Sequence, residues 1–358
     1  MSSPGKDQYT FFDDPLRFYN AMLYDMEQAK SYIYLETYRF NNDSIGVRFR
    51  DILAKKSREG VEVKILMDSW GTTLPASFFS ELQTGNSDIR YFQKIKLFWD
   101  FFTKNHRRNH RKLLIIDDVI TYIGSANLTD YSLNWRDSVL RIYADITPQF
   151  RKVFLQHFEM YNKYVFEKQL KIRKITHGKS EILRDVPSLT RQRIRKRYIE
   201  LIKTANREIV IETPYFLPSF FLRKALTDAA KRGVEVKVIM PLRSDVGLID
   251  VLRNRYLGGL HKSGLRLFFY QRHNLHAKIL MIDREVFSIG SPNFDYRSFR
   301  FQHEIVLIGE ERSARDQIMD HINQTLQDSL SFSYVLWSKR SALQKFFEWI
   351  ILPFRHLL

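Results

Sequence analysis

No cysteine occurs among the 358 residues. That excludes disulfides, a thiolate nucleophile and a cysteine-based zinc site, and leaves the redox compartment open. No uninterrupted apolar run reaches the roughly 20 residues that cross a bilayer, so work on a membrane is expected from its surface. The opening residues Met1 to Gln8 lack the basic-then-apolar pattern of a secretory signal. Acidic residues are in deficit: 40 Asp plus Glu face 57 Lys plus Arg, a net charge of +17, with basic runs at Lys104 to Lys112 and Arg191 to Arg197. One such run is ordinarily a solvated face. The whole imbalance suits a polyanionic partner, an anionic phospholipid surface or nucleic acid, and charge alone does not choose between them.

What is present is ample core material, with 44% hydrophobic and 14% aromatic residues. Leu16, Tyr19, Leu23 and Met26 recur at helical spacing, Ser31 to Phe40 alternates like a strand, a second helix is expected over 45–58, and Gly60 ends it before the strand Val61 to Met67. The segment Arg58 to Met67 is nearly repeated at Lys231 to Met240, and Ile33 to Thr37 resembles Val210 to Thr213. Alternating helix and strand with a period of about half the chain predicts α/β architecture in two homologous lobes. The expected divisions are a first lobe over 1–165 that ends in a helix, a linker over 166–190, a second lobe over 191–335 and a tail over 336–358. The tail combines basic residues with Phe346, Phe347, Trp349, Ile350, Ile351, Leu352 and Phe354. It suits an interfacial membrane anchor and suits equally a helix packed on its own lobe or on another subunit. The sequence does not specify an oligomeric state.

Two copies of one motif carry the chemistry. His110 and Lys112 precede four apolar residues and Asp117; His276 and Lys278 precede four apolar residues and Asp283. In a strand, residues i and i+2 share a face, so each His–Lys pair is expected to point into one pocket, while parity turns the Asp away into a structural role. Each copy leads to a Gly-Ser-x-Asn box, Gly124 to Asn127 and Gly290 to Asn293, in which Gly permits a sharp loop and Ser125, Ser291 and both asparagines supply uncharged donors. Farther on stand Asp137 and Glu304, placed to hold a histidine Nδ1 and leave Nε2 for chemistry. Two imidazoles, two ammonium groups and two amides around one pocket fit an anion undergoing phosphoryl transfer. One histidine attacks phosphorus; the other protonates the leaving oxygen and then deprotonates the incoming hydroxyl. A metal fits poorly, because an ammonium beside each imidazole repels a cation.

The paired His-x-Lys-x4-Asp motifs resemble those of the phospholipase D superfamily over nearly the whole chain. The carry-over takes in His110, Lys112, Asp117, Ser125, Asn127, His276, Lys278, Asp283, Ser291, Asn293 and Glu304. The resemblance implies two phospholipase D-like lobes, each a mixed β-sheet flanked by helices, with one active site at their interface, no cofactor or metal, and a phosphohistidine intermediate on His110 with His276 as acid and base. The phrases Ile211 to Pro218, His276 to Asp283 and Gly290 to Phe299 are most similar to bacterial cardiolipin synthases, which pass a phosphatidyl group to the hydroxyl of phosphatidylglycerol. That implies a peripheral enzyme on the cytoplasmic face of the inner membrane. Gly124-Ser125, where synthases usually carry two glycines, and the lack of N-terminal membrane segments are departures. The first keeps open a phospholipase D-type lipid hydrolase and a nuclease, and the second makes the tail the main candidate for membrane attachment; a membrane-binding scaffold with a relic site is disfavoured by two intact motifs. Glu36 and Glu212, at matching strand ends, are expected on the rim of the site. Tyr215 and Phe216 are candidates for a channel lining, and Leu97 to Phe102 for a lipid guide.

Overall fold

The computed structural model describes residues 7–93, 107–162, 172–188 and 190–353. The first lobe runs β1 (Gln8–Phe12), α1 (Pro15–Glu27), β2 (Tyr32–Thr37), α2 (Ser44–Arg58), β3 (Glu62–Asp68), β4 (Ser87–Phe92), β5 (Arg108–Asn109), β6 (Leu113–Ile116), β7 (Ile120–Gly124), β8 (Val139–Tyr143) and α3 (Thr147–Phe158). The second runs β9 (Ile175–His177), β10 (Ser180–Asp185), α4 (Arg193–Thr204), β11 (Glu208–Glu212), α5 (Phe220–Lys231), β12 (Glu235–Pro241), α6 (Gly247–Lys262) and β13 (Arg266–Tyr270). It continues with β14 (Ile279–Ile282), β15 (Val286–Gly290), α7 (Tyr296–Phe301), β16 (Gln302–Gly309), α8 (Arg312–Gln327) and β17 (Ser329–Ser331), and α9 (Tyr334–Ser338) and α10 (Ala342–Ile350) follow.

The repeat is explicit in the strand order. The first sheet contains the run β8-β7-β6-β2-β3-β4 and the second the run β16-β15-β14-β11-β12-β13. In both, a parallel βαβ unit joins an antiparallel hairpin, which makes each sheet mixed. Local signals start the elements where the residues dictate. Asp14 accepts the Arg17 N–H ahead of Pro15, and Asp43 accepts the N–H groups of Ile45 and Gly46, so α1 and α2 begin at capped positions. The hairpins β6–β7 and β14–β15 turn through Asp117-Asp118 and Asp283-Arg284, all four at φ of 54° to 58°, the double left-handed bend that matches strand twist.

Three large apolar layers hold the lobes. One lies under α1 and α2, around Phe18, Phe49 and Ile65; another lies under α4 and α5, around Ile202, Leu226 and Val238. The third lies between the two sheets and draws on both lobes, with Phe154 and Phe158 of α3 and Ile318 and Ile322 of α8 in one cluster with Ile115, Ile142, Met281 and Ile305. A shared core of this size makes the lobes one cooperative body. The stretch expected as a linker departs from expectation: β9 and β10 join the second sheet, with Ile182 fully buried. Its apolar residues are few and flanked by charge, which hid a short edge strand. No helix among the described residues is long and apolar enough to cross a membrane. Leu97 to Phe102 and residues 354–358 of the tail lie outside the described residues.

Candidate active site

The lobes exchange backbone at two symmetric points. β5 pairs in parallel with the start of β16, and His110 N–H donates to His303 O at 3.0 Å. Reciprocally, Arg136 bridges to Leu275, and His276 N–H donates to Arg136 O at 2.7 Å. The residue after each acceptor is a carboxylate. His110 Nδ1 thus lies 3.1 Å from Glu304, and His276 Nδ1 lies 3.1 Å from Asp137. Each histidine is oriented by a carboxylate of the opposite lobe, and neither lobe alone completes a site. With Nδ1 engaged, Nε2 is the ring nitrogen left for chemistry.

Ser125 and Ser291, expected to bind substrate, stand behind the histidines instead. Ser125 Oγ donates to Asp137 and Ser291 Oγ to Glu304, and both serines are fully buried. Hydroxyls there fix the carboxylates that fix the imidazoles. The glycine before each serine serves close approach rather than a loop: a Cβ would lie 2.1 Å from Ser138 O at Gly124 and 2.2 Å from Ile305 O at Gly290.

The His-x-Lys segments lie just ahead of β6 and β14, not within a strand. Each lysine still turns back on its histidine: Lys112 Nζ donates to His110 O at 2.6 Å, and Lys278 Nζ lies 2.8 Å from His276 O and 3.1 Å from His276 Nε2. Burial lowers both ammonium groups, Lys112 to about 7 and Lys278 to about 8, against the opposing pull of Glu304 on the first and Asp137 on the second. Burial pushes the Glu304 carboxyl up to about 8, opposed by Lys112. Asp137 behaves oppositely: burial raises it, but the charge and Nδ1 contact of His276, with Lys278, outweigh burial and hold it at about 2. His110 is driven well below the usual imidazole range by burial and then by Lys112, Lys278, His276 and Arg297. His276 is lowered by burial and Lys278, with Asp137 and Asp245 pulling the other way.

Both histidines open on a cleft of about 250 Å³ between the lobes, which Asn127, Asn293 and Tyr215 also line. The buried Oδ1 atoms of Asn127 and Asn293 have no partner among the described residues; as acceptors they offer nothing to an anion, and it is the Nδ2 groups of the two amides that can donate to one. Tyr215 lies on the wall as expected, and its hydroxyl donates to Asp245 at 2.6 Å. Phe216, beside it, is buried in the second-lobe core and is not part of the cleft lining. Sequence reasoning missed Arg39, Trp70, Trp135, Asp245, Asp295 and Arg297, which line the same cleft from the two lobes. One signal was available: Glu36-Thr37 matches Glu212-Thr213, which makes Arg39 and Tyr215 equivalent positions of the repeat, and Thr37 and Thr213 each donate to the backbone carbonyl there.

Glu36 and Glu212 are not rim residues. Both are buried, because α3 and α8 cover the strand ends. Glu36 accepts from Asn109 at 3.0 Å and meets His157 Nδ1 at 2.5 Å, while Glu212 meets His321 Nε2 at 2.9 Å. His157 Nε2 in turn lies 3.1 Å from His303, the neighbour of Glu304. Asp117 and Asp283, carried over with the motif, stand at the far end of their hairpins. Asp117 accepts the N–H groups of Lys30, Ser31 and Tyr32 at 2.6 to 2.8 Å, and Asp283 those of Asn206, Arg207 and Glu208 at 2.7 to 2.9 Å. They tie the helix-to-strand turn of each lobe and do not reach the cleft.

A family model described as "Cardiolipin synthase, PLD-like domain" matches residues 22–161 and 198–328, one span in each lobe. The chain belongs to this family. A cardiolipin synthase of Listeria monocytogenes is 32% identical over 355 residues, covering 96% of this chain and 73% of that protein. One from Oceanobacillus iheyensis is 31% identical, covering 94% and 72%. Among solved structures, phosphatidylserine synthase of Haemophilus influenzae superposes with a TM-score of 0.77 at 14% identity, covering 98% of this chain and 93% of that one. Polyphosphate kinase of Porphyromonas gingivalis does so at 0.65 with 13% identity, covering 99% and 54%. At such identities the likeness is one of fold, and it confirms the mixed-sheet, two-lobed architecture of the family.

Proposed function

We propose that this family member is a phosphatidyltransferase that makes cardiolipin from phosphatidylglycerol, or from another phospholipid donor, through a covalent phosphohistidine. The observation that carries the mechanism is the crossed pair of carboxylate-held histidines on one cationic cleft. His110, neutral because burial and surrounding cations depress it, attacks the donor phosphorus through Nε2. Lys112, Lys278, Asn127 and Asn293 stabilise the equatorial oxygens, and the bound anion restores charge to the lysines. His276, paired with an ionised Asp137, gives its proton to the departing alcohol oxygen as the P–O bond breaks. It then takes the proton of the acceptor hydroxyl, whose oxygen attacks phosphorus and releases His110. Glu304 and Asp137 position the rings, Ser125 and Ser291 position the carboxylates, and Asp117 and Asp283 brace the hairpins. Because both lipids reside in a bilayer, the enzyme works as a peripheral protein on an anionic membrane surface, at the cytoplasmic face of the inner membrane.

The test is turnover of phosphatidylglycerol vesicles analysed by mass spectrometry. Cardiolipin plus glycerol is expected, and both His110→Ala and His276→Ala should abolish it. Phosphatidic acid as the main product would make the chain a lipid hydrolase. Cleavage of oligonucleotides with vesicles left intact would make it a nuclease.

A further inference from the structure

The helix α10 is built inside out. Eight of its nine residues are exposed, and the one buried residue is its only acid, Glu348. Arg340 donates to Glu348 and, at 3.0 Å, to Asn254 O of α6, so the polar edge of α10 is what faces the protein. Leu343, Phe346, Phe347 and Ile350 fall at i, i+3, i+4 and i+7 on the opposite face, with Trp349 beside them, and they are 42% to 63% exposed. A helix packed on its own lobe would bury that stripe. A Ser341–Gln344 capping box fixes its start, so the face is held in place rather than frayed.

The end of this helix reaches the wall of the cleft. Ile351 and Leu352 pack on a small cluster of Leu217, Ile249 and Leu252, together with Tyr215 and Val246. Tyr215, Val246 and Ile249 also line the catalytic cleft. More exposed apolar side chains flank this hub: Phe220 and Phe221, both 61% exposed, open α5 just after Leu217, and Leu248 stands in the first turn of α6 beside Ile249. Arg255 and Lys345, both exposed, lie within electrostatic reach of Glu348, and Arg243 is exposed ahead of α6. The exposed Asp245 is held by the Tyr215 hydroxyl, and α10 presents no exposed carboxylate.

We propose that the apolar face of α10, with the first turns of α5 and α6, seats the second lobe on an anionic lipid surface and sets the cleft mouth at the bilayer. A buried acid with an exposed aromatic stripe is the arrangement of a helix whose second solvent is the headgroup layer. Basic neighbours favour anionic lipid over a neutral surface. The seat deepens the function proposed above and rests on it for the orientation: a two-chain substrate enters the cleft without leaving the membrane only if the mouth adjoins the headgroups.

The test uses the full chain and the double variant Phe346→Ser with Trp349→Ser, whose side chains are too exposed to support the core. Sedimentation with phosphatidylglycerol vesicles should weaken at least tenfold in the variant, and cardiolipin formation on those vesicles should fall in parallel. Turnover of short-chain, monomeric phosphatidylglycerol should stay unchanged. Equal sedimentation of variant and parent would overturn the proposal. So would conversion from dimer to monomer with sedimentation unchanged, which would make the face a contact between copies. Absence of any lipid product from the parent, with the sedimentation contrast intact, would sink the transferase reading and leave the lipid seat standing.

Discussion

The two halves of the cleft repeat one motif, and the carboxylates that hold their histidines are opposites in electrostatics. His110 is depressed by burial and then by Lys112, Lys278, His276 and Arg297, and its partner Glu304 is pushed up to about 8 by burial. His276 has carboxylates within electrostatic reach, and its partner Asp137 is held at about 2. At neutral pH the first pair is a neutral imidazole with a carboxyl that keeps its proton, whereas the second sets a lowered imidazole against an ionised carboxylate. A free lone pair beside a neutral carboxyl suits a nucleophile; an imidazole backed by a carboxylate that stabilises its charged form suits proton transfer. On the proposed assignment, equivalent motifs reach different roles through what the rest of the chain places beside them.

The sharpest way to break this contrast is to remove each imidazole and vary the leaving group. His110→Ala should lose at least about a thousandfold in rate on every substrate, since no adduct can form. His276→Ala should lose about as much on phosphatidylglycerol, yet form the adduct readily from a p-nitrophenyl phosphodiester, whose leaving oxygen needs no proton. Equal rescue of both variants in a stopped-flow burst would erase the division of labour.

The pH dependence gives a smaller effect of known sign. Lys112 and Lys278 in the empty cleft sit near 7 and 8, so each ammonium is present below that range and lost as pH rises through it. His110, depressed by burial, is already neutral at pH 7. kcat/KM for a soluble phosphodiester should therefore fall on the order of a few hundredfold between pH 7 and 9. The matching fall in kcat should be displaced to higher pH, because a bound phosphodiester favours the charged lysines. Profiles of kcat and kcat/KM that superpose would count against lysine charge as the anion clamp.

The smallest effect, and the most selective, is on stability. Glu304 keeps its proton in the fold between its ordinary 4.5 and about 8, so it costs stability that grows with pH across that window. Glu304→Gln should be more stable than the parent by a margin that widens from pH 5 to pH 8, on the order of 1 kcal/mol per pH unit. Asp137 is depressed from 3.8 to about 2, so its contribution is present above 3.8 and lost as pH falls through 2. Asp137→Asn should accordingly destabilise at neutral pH, on the order of 2 kcal/mol. Thermal melts across pH would show the two amide substitutions moving in opposite directions; the same sign in both would remove the asymmetry.

Much of this was legible in the chain itself. The near-identity of Arg58 to Met67 and Lys231 to Met240 exposed the repeat, and the paired His-x-Lys motifs exposed the reaction type. Parity turned Asp117 and Asp283 away even though neither His-x-Lys segment lies in a strand, because Asp at a left-handed hairpin bend faces the neighbouring turn in any case. What stayed hidden depends on pairing across the lobes. Nothing local says that Glu304 serves His110, or that Asp137 serves His276, since a contact between β5 and β16 has no sequence pattern. Glu36 and Glu212 looked like rim residues because strand ends usually are; α3 and α8 cover them, and His157 and His321 each engage one carboxylate oxygen. Ser125 and Ser291 read as ligands' donors because a serine beside a glycine looks loop-borne, whereas both lie buried behind the carboxylates. The tail read equally as anchor or packed helix, and only the buried Glu348 shows which face turns outward.

The division of labour between the histidines is tested most directly by quenching a single turnover in alkali, where phosphohistidine survives, and mapping the adduct by peptide mass. With His276→Ala and a p-nitrophenyl phosphodiester, the added mass should sit on residue 110, and Glu304→Gln should lower its yield. An adduct on residue 276 of the parent enzyme, with residue 110 unmodified, would contradict the assignment.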